Sequence, residues 1–284
     1  MAREDNIVIF EDTKRLYSTN PRLKESIQRS IKEQEMFRED VPVPIGKNRV
    51  YDKDACIIVS QKRSFEAAQY YAYQGKKVCV LNFASATNPG GGVERGSSAQ
   101  EEALCRISTL FPNLSDGIMM KNFYIPHRIS RDPIHNDDTI YTPNVVVFKS
   151  DTGYPKELDE KRWYKVDVIT TAAPNLRQRP SNRMNPGDGD IAVDISKEEL
   201  LALHEKRIHR ILEIASEKGN EVIILGAFGC GAFSNPPEVV AEAMKREIEK
   251  FRKNFETIEA AVYCSPRDDS NYQVFKRVLG GLSK

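Results

Sequence analysis

Two short apolar runs each pass directly into a glycine-rich loop and then into a helix, and few folds accommodate that succession twice. The first run, 78–83, leads to Asn88-Pro-Gly-Gly-Gly92, then to Gln100-Glu-Glu102 and a helical pattern over 103–111. The second, 222–225, leads to Gly226-Ala-Phe-Gly-Cys-Gly-Ala-Phe-Ser-Asn235, after which Pro236-Pro237 opens a helix. Proline suits that position because its missing N–H has no partner in the first helical turn. Further strand candidates are 55–60, 145–148, 166–171 and 260–264, and further helices are expected over 64–73 and 271–279. Ser196 with Glu199 forms a capping-box pattern, opening a helix with Leu201, Ile208, Ile211, Leu212 and Ala215 on one face. Short β-branched runs alternating with helices predict an α/β layered domain. In such folds ligands sit beyond the carboxyl ends of strands, where both glycine loops fall.

The remaining segments frame this core. Residues 11–40 are rich in charge, with sparse apolar positions (Leu16, Leu23, Ile27, Ile31) that suit helices docked on something else. Val41-Pro-Val-Pro44 closes them, since proline removes amide donors and restricts its predecessor. The expected division is a helical extension, 1–44, packed on a larger domain, 45–284. Segments 112–143 and 174–190 read as irregular. The 42 basic and 41 acidic residues give a net charge of +1, which argues against a general nucleic-acid or membrane-surface binder. Five scattered cysteines without a CxxC pair suit reduced thiols in a cytoplasmic protein. No apolar run has the length of a membrane span or secretory signal.

Three consecutive glycines permit left-handed backbone angles and close approach of a ligand. Their N–H groups suit an anion such as phosphate. The helix that follows separates three neighbours. At ~100° per residue, Leu104, Ile107 and Phe111 share a stripe that includes Gln100, as a buried, hydrogen-bonded amide would. Ser98 with Glu101 fits a capping box, which would engage Glu101 with the first helical amides. Glu102 points roughly 140° from the stripe's centre, towards solvent or a cleft. Adjacent anions beside a phosphate raise one carboxyl's pKa, which suits one group acting first as acid and then as base. Most glycosidases instead hold two carboxylates on opposite faces of the sugar, ~5–9.5 Å apart.

In the second loop, Phe228 and Phe233 either offer a flat surface to a sugar or base or anchor the loop in the core. Neither loop ends in Gly-Lys-Ser/Thr, which disfavours a Walker-type NTPase. His127, His135, His204 and His209 lack metal-ligand spacing, and His204 reads as a packed histidine. Cys230, without a histidine and acid partner, reads as a small packed residue. Asp137-Asp138 reads as a solvated loop, and Arg177, Arg179 and Arg183 as an exposed loop that doubles as a candidate phosphate cluster.

The triple glycine, the spacer 93–99 and Gln100-Glu-Glu102 together resemble the signature of microbial-type poly(ADP-ribose) glycohydrolases, a macrodomain-fold family. The likeness continues in Asn82-Phe-Ala-Ser85, Pro126-His-Arg128, Ile140-Tyr-Thr-Pro143, Asp167-Val-Ile-Thr-Thr-Ala-Ala-Pro174 and Leu225-Gly-Ala-Phe-Gly-Cys-Gly-Ala-Phe233. It implies a three-layer α/β/α sandwich with a mixed central sheet and added N-terminal helices. It implies hydrolysis of the ribose–ribose O-glycosidic bond of poly(ADP-ribose), from polymer ends, with release of ADP-ribose. Glu102 would be the acid/base and Glu101 would hold the hydroxyls of the ribose next to the scissile bond. Asn88 and the backbone of Gly90, Gly91 and Gly92 would line that ribose and the diphosphate, with Gln100 in the same ligand-binding set. Gly229, Cys230, Gly231 and Ala232 would wrap the diphosphate, and Phe233 would pack on the distal ribose. No metal or cofactor is implied, and the expected state is a monomer. Two alternatives use the same scaffold: a hydrolase of single ADP-ribose groups on protein or nucleic acid, and a non-catalytic ADP-ribose reader.

Overall fold

The computed structural model describes residues 2–182, 186–265 and 267–282. Helices α1 (Arg3–Thr19) and α2 (Pro21–Glu33) come first, followed by β1 (Glu35–Phe37), β2 (Cys56–Ser60), α3 (Ser64–Ala72) and β3 (Val78–Phe83). Beyond the first glycine loop lie α4 (Gln100–Ile107), α5 (Leu110–Leu114), α6 (Gly117–Met119) and α7 (Ile125–Ser130), with a π turn (Met120–Tyr124) before the last. The chain closes with β4 (Thr139–Val147), β5 (Tyr164–Thr171), α8 (Lys197–Glu217), β6 (Val222–Leu225), α9 (Pro237–Lys250), β7 (Thr257–Ala261) and α10 (Ser270–Leu279).

The strands form one seven-stranded mixed sheet in the order β1-β4-β5-β3-β6-β7-β2. The contacts among β5, β3, β6, β7 and β2 are parallel, and β4 is antiparallel to both β1 and β5. Alternation along the central strands divides the apolar side chains between two cores. Cys79, Leu81, Ile223 and Leu225 pack with α8, α9 and α10 on one face. Val78, Val80, Val222 and Ile224 pack with α3, α4 and α5 on the other. The result is the expected α/β/α sandwich. Strands β3 and β6 are direct neighbours in parallel register, Val78 opposite Val222. Their carboxyl ends therefore deliver the two glycine loops side by side.

The structure departs from the sequence reading in definable places. Segment 112–143 is largely ordered, because Phe123 and Tyr124 are fully buried and draw short helices onto the sheet. Strand β4 already begins at Thr139; Pro143 and a left-handed Asn144 (φ 58°) interrupt it, and its register shifts between Thr142 and Val145. Only the half beyond that bulge has a readable apolar run. Strand β1, three residues with only Phe37 buried, offers no pattern at all. Helix α4 stops at Ile107, where Ser108 turns extended (φ −146°), so the 103–111 pattern is two helices. The last strand lies at 257–261, ahead of the expected 260–264.

Asp137 and Asp138 are buried and form no solvated loop. Asp137 pairs with Arg207 at 2.7 Å and Lys206 at 2.5 Å. Arg207, also buried, donates further to the carbonyl oxygens of Ile134, His135 and Ala172. A buried guanidinium needs this full set of acceptors, and the set pins the 132–138 segment against α8 and β5.

The capping box of Ser196 and Glu199 opens α8. His204 is packed as expected: Nε2 meets Asn235 Oδ1 at 2.9 Å, and burial lowers its pKa to about 4, which keeps the ring neutral. Helix α1 docks beside α4 and α5, with Phe10 fully buried against Phe111 of α5, ring centroids 5.0 Å apart. No helix among the described residues is long and apolar enough to cross a membrane.

Candidate active site

A cleft of about 860 Å³ opens at the carboxyl ends of β3 and β6. One wall is Gly91, Gly92 and the start of α4, and the facing wall is Gly229, Gly231, Ala232 and Phe233. Gly90 and Gly91 both take left-handed angles, φ 67° and 59°, which L side chains rarely adopt. A Cβ on Gly91 would lie 2.5 Å from Glu102 Oε1 and 3.1 Å from Glu101 Oε2. The loop therefore rests directly on both carboxylates, and only glycine permits that approach.

The three motif residues have three different tasks. Gln100 is half-buried and uses its whole amide: Phe83 N–H donates to Oε1, and Nε2 donates to Leu81 O and Ser64 Oγ. It ties α4 to β3. Glu101 does not cap its helix; Ala99 holds the cap position without a side-chain bond. Instead Glu101 turns back to the β3 exit, where Oε2 accepts from Ser85 N–H at 2.8 Å and Oε1 from Asn82 Nδ2 at 3.2 Å. Glu102 points into the cleft and not to bulk solvent, being only 7 % exposed. Its Oε1 accepts from Gly92 N–H at 2.8 Å, while Oε2 is buried without a hydrogen-bond partner among the described residues.

Both carboxyls are held above the ordinary glutamate value. For Glu101 the cause is burial first and the charge of Glu102 second, only partly offset by the Ser85 and Asn82 bonds. For Glu102 burial again leads, offset by the Gly92 N–H and by Arg106. Desolvation outweighs mutual repulsion, the cause that the residue order alone brings to mind. A glutamic acid on the cleft wall that holds its proton more tightly than an ordinary glutamate is equipped as a general acid.

The other sequence candidates divide. Phe228 is fully buried, packed against Phe83 and His204 (centroids 6.0 Å each), and anchors the loop. Phe233 lines the cleft, with the ring of His135 behind it at 6.0 Å. Gly90 and Cys230 sit behind the lining, and burial pushes the Cys230 thiol well up, so it is no ready nucleophile. Asn88 is half-buried and likewise outside the lining, and its Oδ1 accepts from Arg128 at 3.4 Å. Arg177 borders the cleft, Arg179 is exposed, and Arg183 lies outside the described residues.

Several cleft residues carried no local signal. Arg63 stacks over Tyr263 at 3.9 Å, a pairing between distant parts of the chain. Asp151 accepts the N–H groups of Phe65 and Glu66 at the start of α3, yet desolvation still raises its pKa to about 6. Asn6 of α1 donates to Gly96 O at 3.0 Å and lines the cleft. Arg106 is 3 % exposed and donates to Ser97 O at 2.5 Å. It alone was legible in retrospect, since it stands one helical turn after Glu102 on the same face.

Comparison with known proteins places this geometry. The profile of the microbial-type PARG catalytic domain matches residues 7–150. The chain is similar to the crystal structure of poly(ADP-ribose) glycohydrolase from Thermomonospora curvata, at 26 % identity and a TM-score of 0.80, over 97 % of this chain and 99 % of that one. The same bacterial enzyme bound to the inhibitor ADP-HPD aligns at 27 % identity and 0.77, over 96 % and 99 % of the two chains. The poly(ADP-ribose) glycohydrolase of Deinococcus radiodurans in complex with ADP-ribose aligns at 27 % and 0.74, over 91 % and 98 %. No curated protein sequence matches significantly. With the profile spanning the triple glycine and both carboxylates, and the sandwich shared nearly end to end, the chain belongs to the microbial-type PARG catalytic-domain family.

Proposed function

We infer that this protein is a poly(ADP-ribose) glycohydrolase, which cleaves ribose–ribose O-glycosidic bonds and releases ADP-ribose. The carrying observation is the buried Glu101–Glu102 pair beneath the triple glycine, with Glu102 on the cleft wall and its Oε2 without a hydrogen-bond partner among the described residues. In this reading Glu102 donates its proton to the leaving ribose oxygen as the C–O bond breaks. The resulting carboxylate then takes a proton from the water that attacks the anomeric carbon. Glu101, fixed by Asn82 and Ser85, holds the hydroxyls of that ribose. The ligand's own diphosphate stabilises the oxocarbenium-like transition state electrostatically, and the second glycine loop supplies N–H groups to that diphosphate, since those of Gly91 and Gly92 go to Asn88 O and Glu102 Oε1.

Asn88 and Phe233 then mark the distal-ribose end of the cleft, with Phe233 packed on the sugar. Phe233→Ala is expected to raise KM about tenfold, the effect of losing one good apolar contact, with little change in melting temperature. Phe228→Ala should instead lower stability by about 3–5 kcal/mol. Paired urea titrations and steady-state kinetics check the contrast; a stability loss confined to Phe233→Ala would reverse the assignment.

We read residues 1–44 as an extension packed on a macrodomain-like catalytic domain, 45–284. Helix α1 supports this by closing one side of the cleft through Asn6. Such closure suits attack at polymer ends. All five cysteines are unpaired, which supports a reducing, cytoplasmic setting, and we take the protein to act as a monomer. The test is a time course on labelled poly(ADP-ribose). Free ADP-ribose should appear from the first sample. Early oligomers would overturn the end preference, and release only from singly ADP-ribosylated protein would favour the mono-ADP-ribosyl hydrolase.

A further inference from the structure

We propose that Arg128 and Arg177 form a second anion subsite at the distal-ribose end of the cleft. It takes the diphosphate of the ADP-ribose unit on the leaving side of the scissile bond, and so rests on the glycohydrolase reading. One arginine is tied to the first glycine loop and the other to the second. Arg128, exposed on α7, donates from Nε to Thr87 O at 2.5 Å and from Nη2 to Asn88 Oδ1 at 3.4 Å. Its guanidinium is thereby fixed beside Asn88. Arg177 borders the cleft from the loop after β5, next to Leu176, whose N–H donates to Phe233 O at 2.9 Å.

Both mounts converge on one buried carboxylate. Asp188 is fully buried; its Oδ1 accepts from Thr87 Oγ1 at 3.3 Å and its Oδ2 from Asn175 Nδ2 at 2.7 Å. Asn175 Oδ1 in turn accepts the Arg177 N–H at 3.4 Å. Thr87 precedes Asn88 in the first loop, and Asn175 carries the strap to the second. Asp188 thus joins the two mounts. Their neighbour Arg131 is neutralised by Asp190 at 2.7 Å. Among the described residues, neither Arg128 nor Arg177 has a carboxylate in ion-pair contact.

The substrate supplies what is missing. The leaving oxygen belongs to the ribose of the next unit, and that ribose carries its own diphosphate a few bonds away. Planar guanidinium forks match phosphate oxygens in paired hydrogen bonds. A single ADP-ribose on a protein side chain has no phosphate on that side, so the subsite selects polymer.

The test compares two substrates in one sample: poly(ADP-ribose), and ADP-ribose bearing a neutral aryl group at the anomeric carbon. The readout is the ratio of their kcat/KM values, from which any loss of folded protein cancels. Arg128→Gln and Arg177→Gln should each lower the polymer-to-aryl ratio about tenfold, the scale of one charge-assisted contact. Arg177→Lys should recover part of it, and added salt should narrow the wild-type ratio. A ratio unchanged in either glutamine variant overturns the subsite. A wild type that cleaves the aryl substrate but not polymer overturns the glycohydrolase reading, and the subsite with it.

Discussion

Glu102→Gln is expected to lower kcat on poly(ADP-ribose) by about a thousandfold, the middle-to-upper range for loss of a general acid–base, while ADP-ribose still binds. The amide keeps an oxygen to accept the Gly92 N–H, so the loop geometry survives. It cannot give a proton to the leaving oxygen or take one from water. Rapid-quench rates with labelled polymer, together with calorimetric binding of ADP-ribose, measure the two halves separately. Equal turnover by wild type and variant would sink the assignment.

The same substitution should raise stability at neutral pH. Burial holds the folded-state pKa of Glu102 above its ordinary 4.5, so the folded protein binds this proton more tightly than the unfolded chain. Stability from that linkage is complete below the ordinary value and is lost as pH rises through the raised one. Removing the ionisable group removes the loss. The variant should therefore melt above wild type at neutral and alkaline pH, with the gap closing in acid. The kcat of the wild type should decline over the same rise, as the acid form disappears.

Gly91→Ala should lower kcat about a hundredfold, the scale of an ångström-sized misplacement of reacting groups. A Cβ here would stand 2.5 Å from Glu102 Oε1 and 3.1 Å from Glu101 Oε2, and φ is 59°. The loop must lift or both carboxylates must turn away; either separates acid from substrate. Gly117→Ala is the matched control, since nothing lies within 4 Å of its added Cβ. It should stay within about twofold of wild type, the noise level for surface substitutions. Full activity in Gly91→Ala would show that the loop does not position the pair.

Legibility in the sequence followed the length of the local pattern. Strands β3 and β6 have apolar runs bounded by glycine and were placed correctly to the residue, and the Ser196–Glu199 box marked α8 correctly. Strand β1 and the first half of β4 were hidden because pairing across the sheet, not their own composition, makes them strands. Asp137 was misread for the same reason: Arg207, which buries it, comes from α8, far along the chain.

The sequence alone determined the layered α/β class, the two strand–glycine–helix units and the turn of Glu102 away from the apolar stripe of its helix, because each depends on steps between near neighbours. Family likeness added the bond to be cut. Only the tertiary structure made Glu101 a partner of Asn82 and Ser85 and not a helix cap. It also sent Phe228 to the core and Phe233 to the cleft, and raised both carboxyl pKa values by burial. Those outcomes depend on which strands lie side by side and how much water they exclude. Neither is encoded in the spacing of residues along one helix.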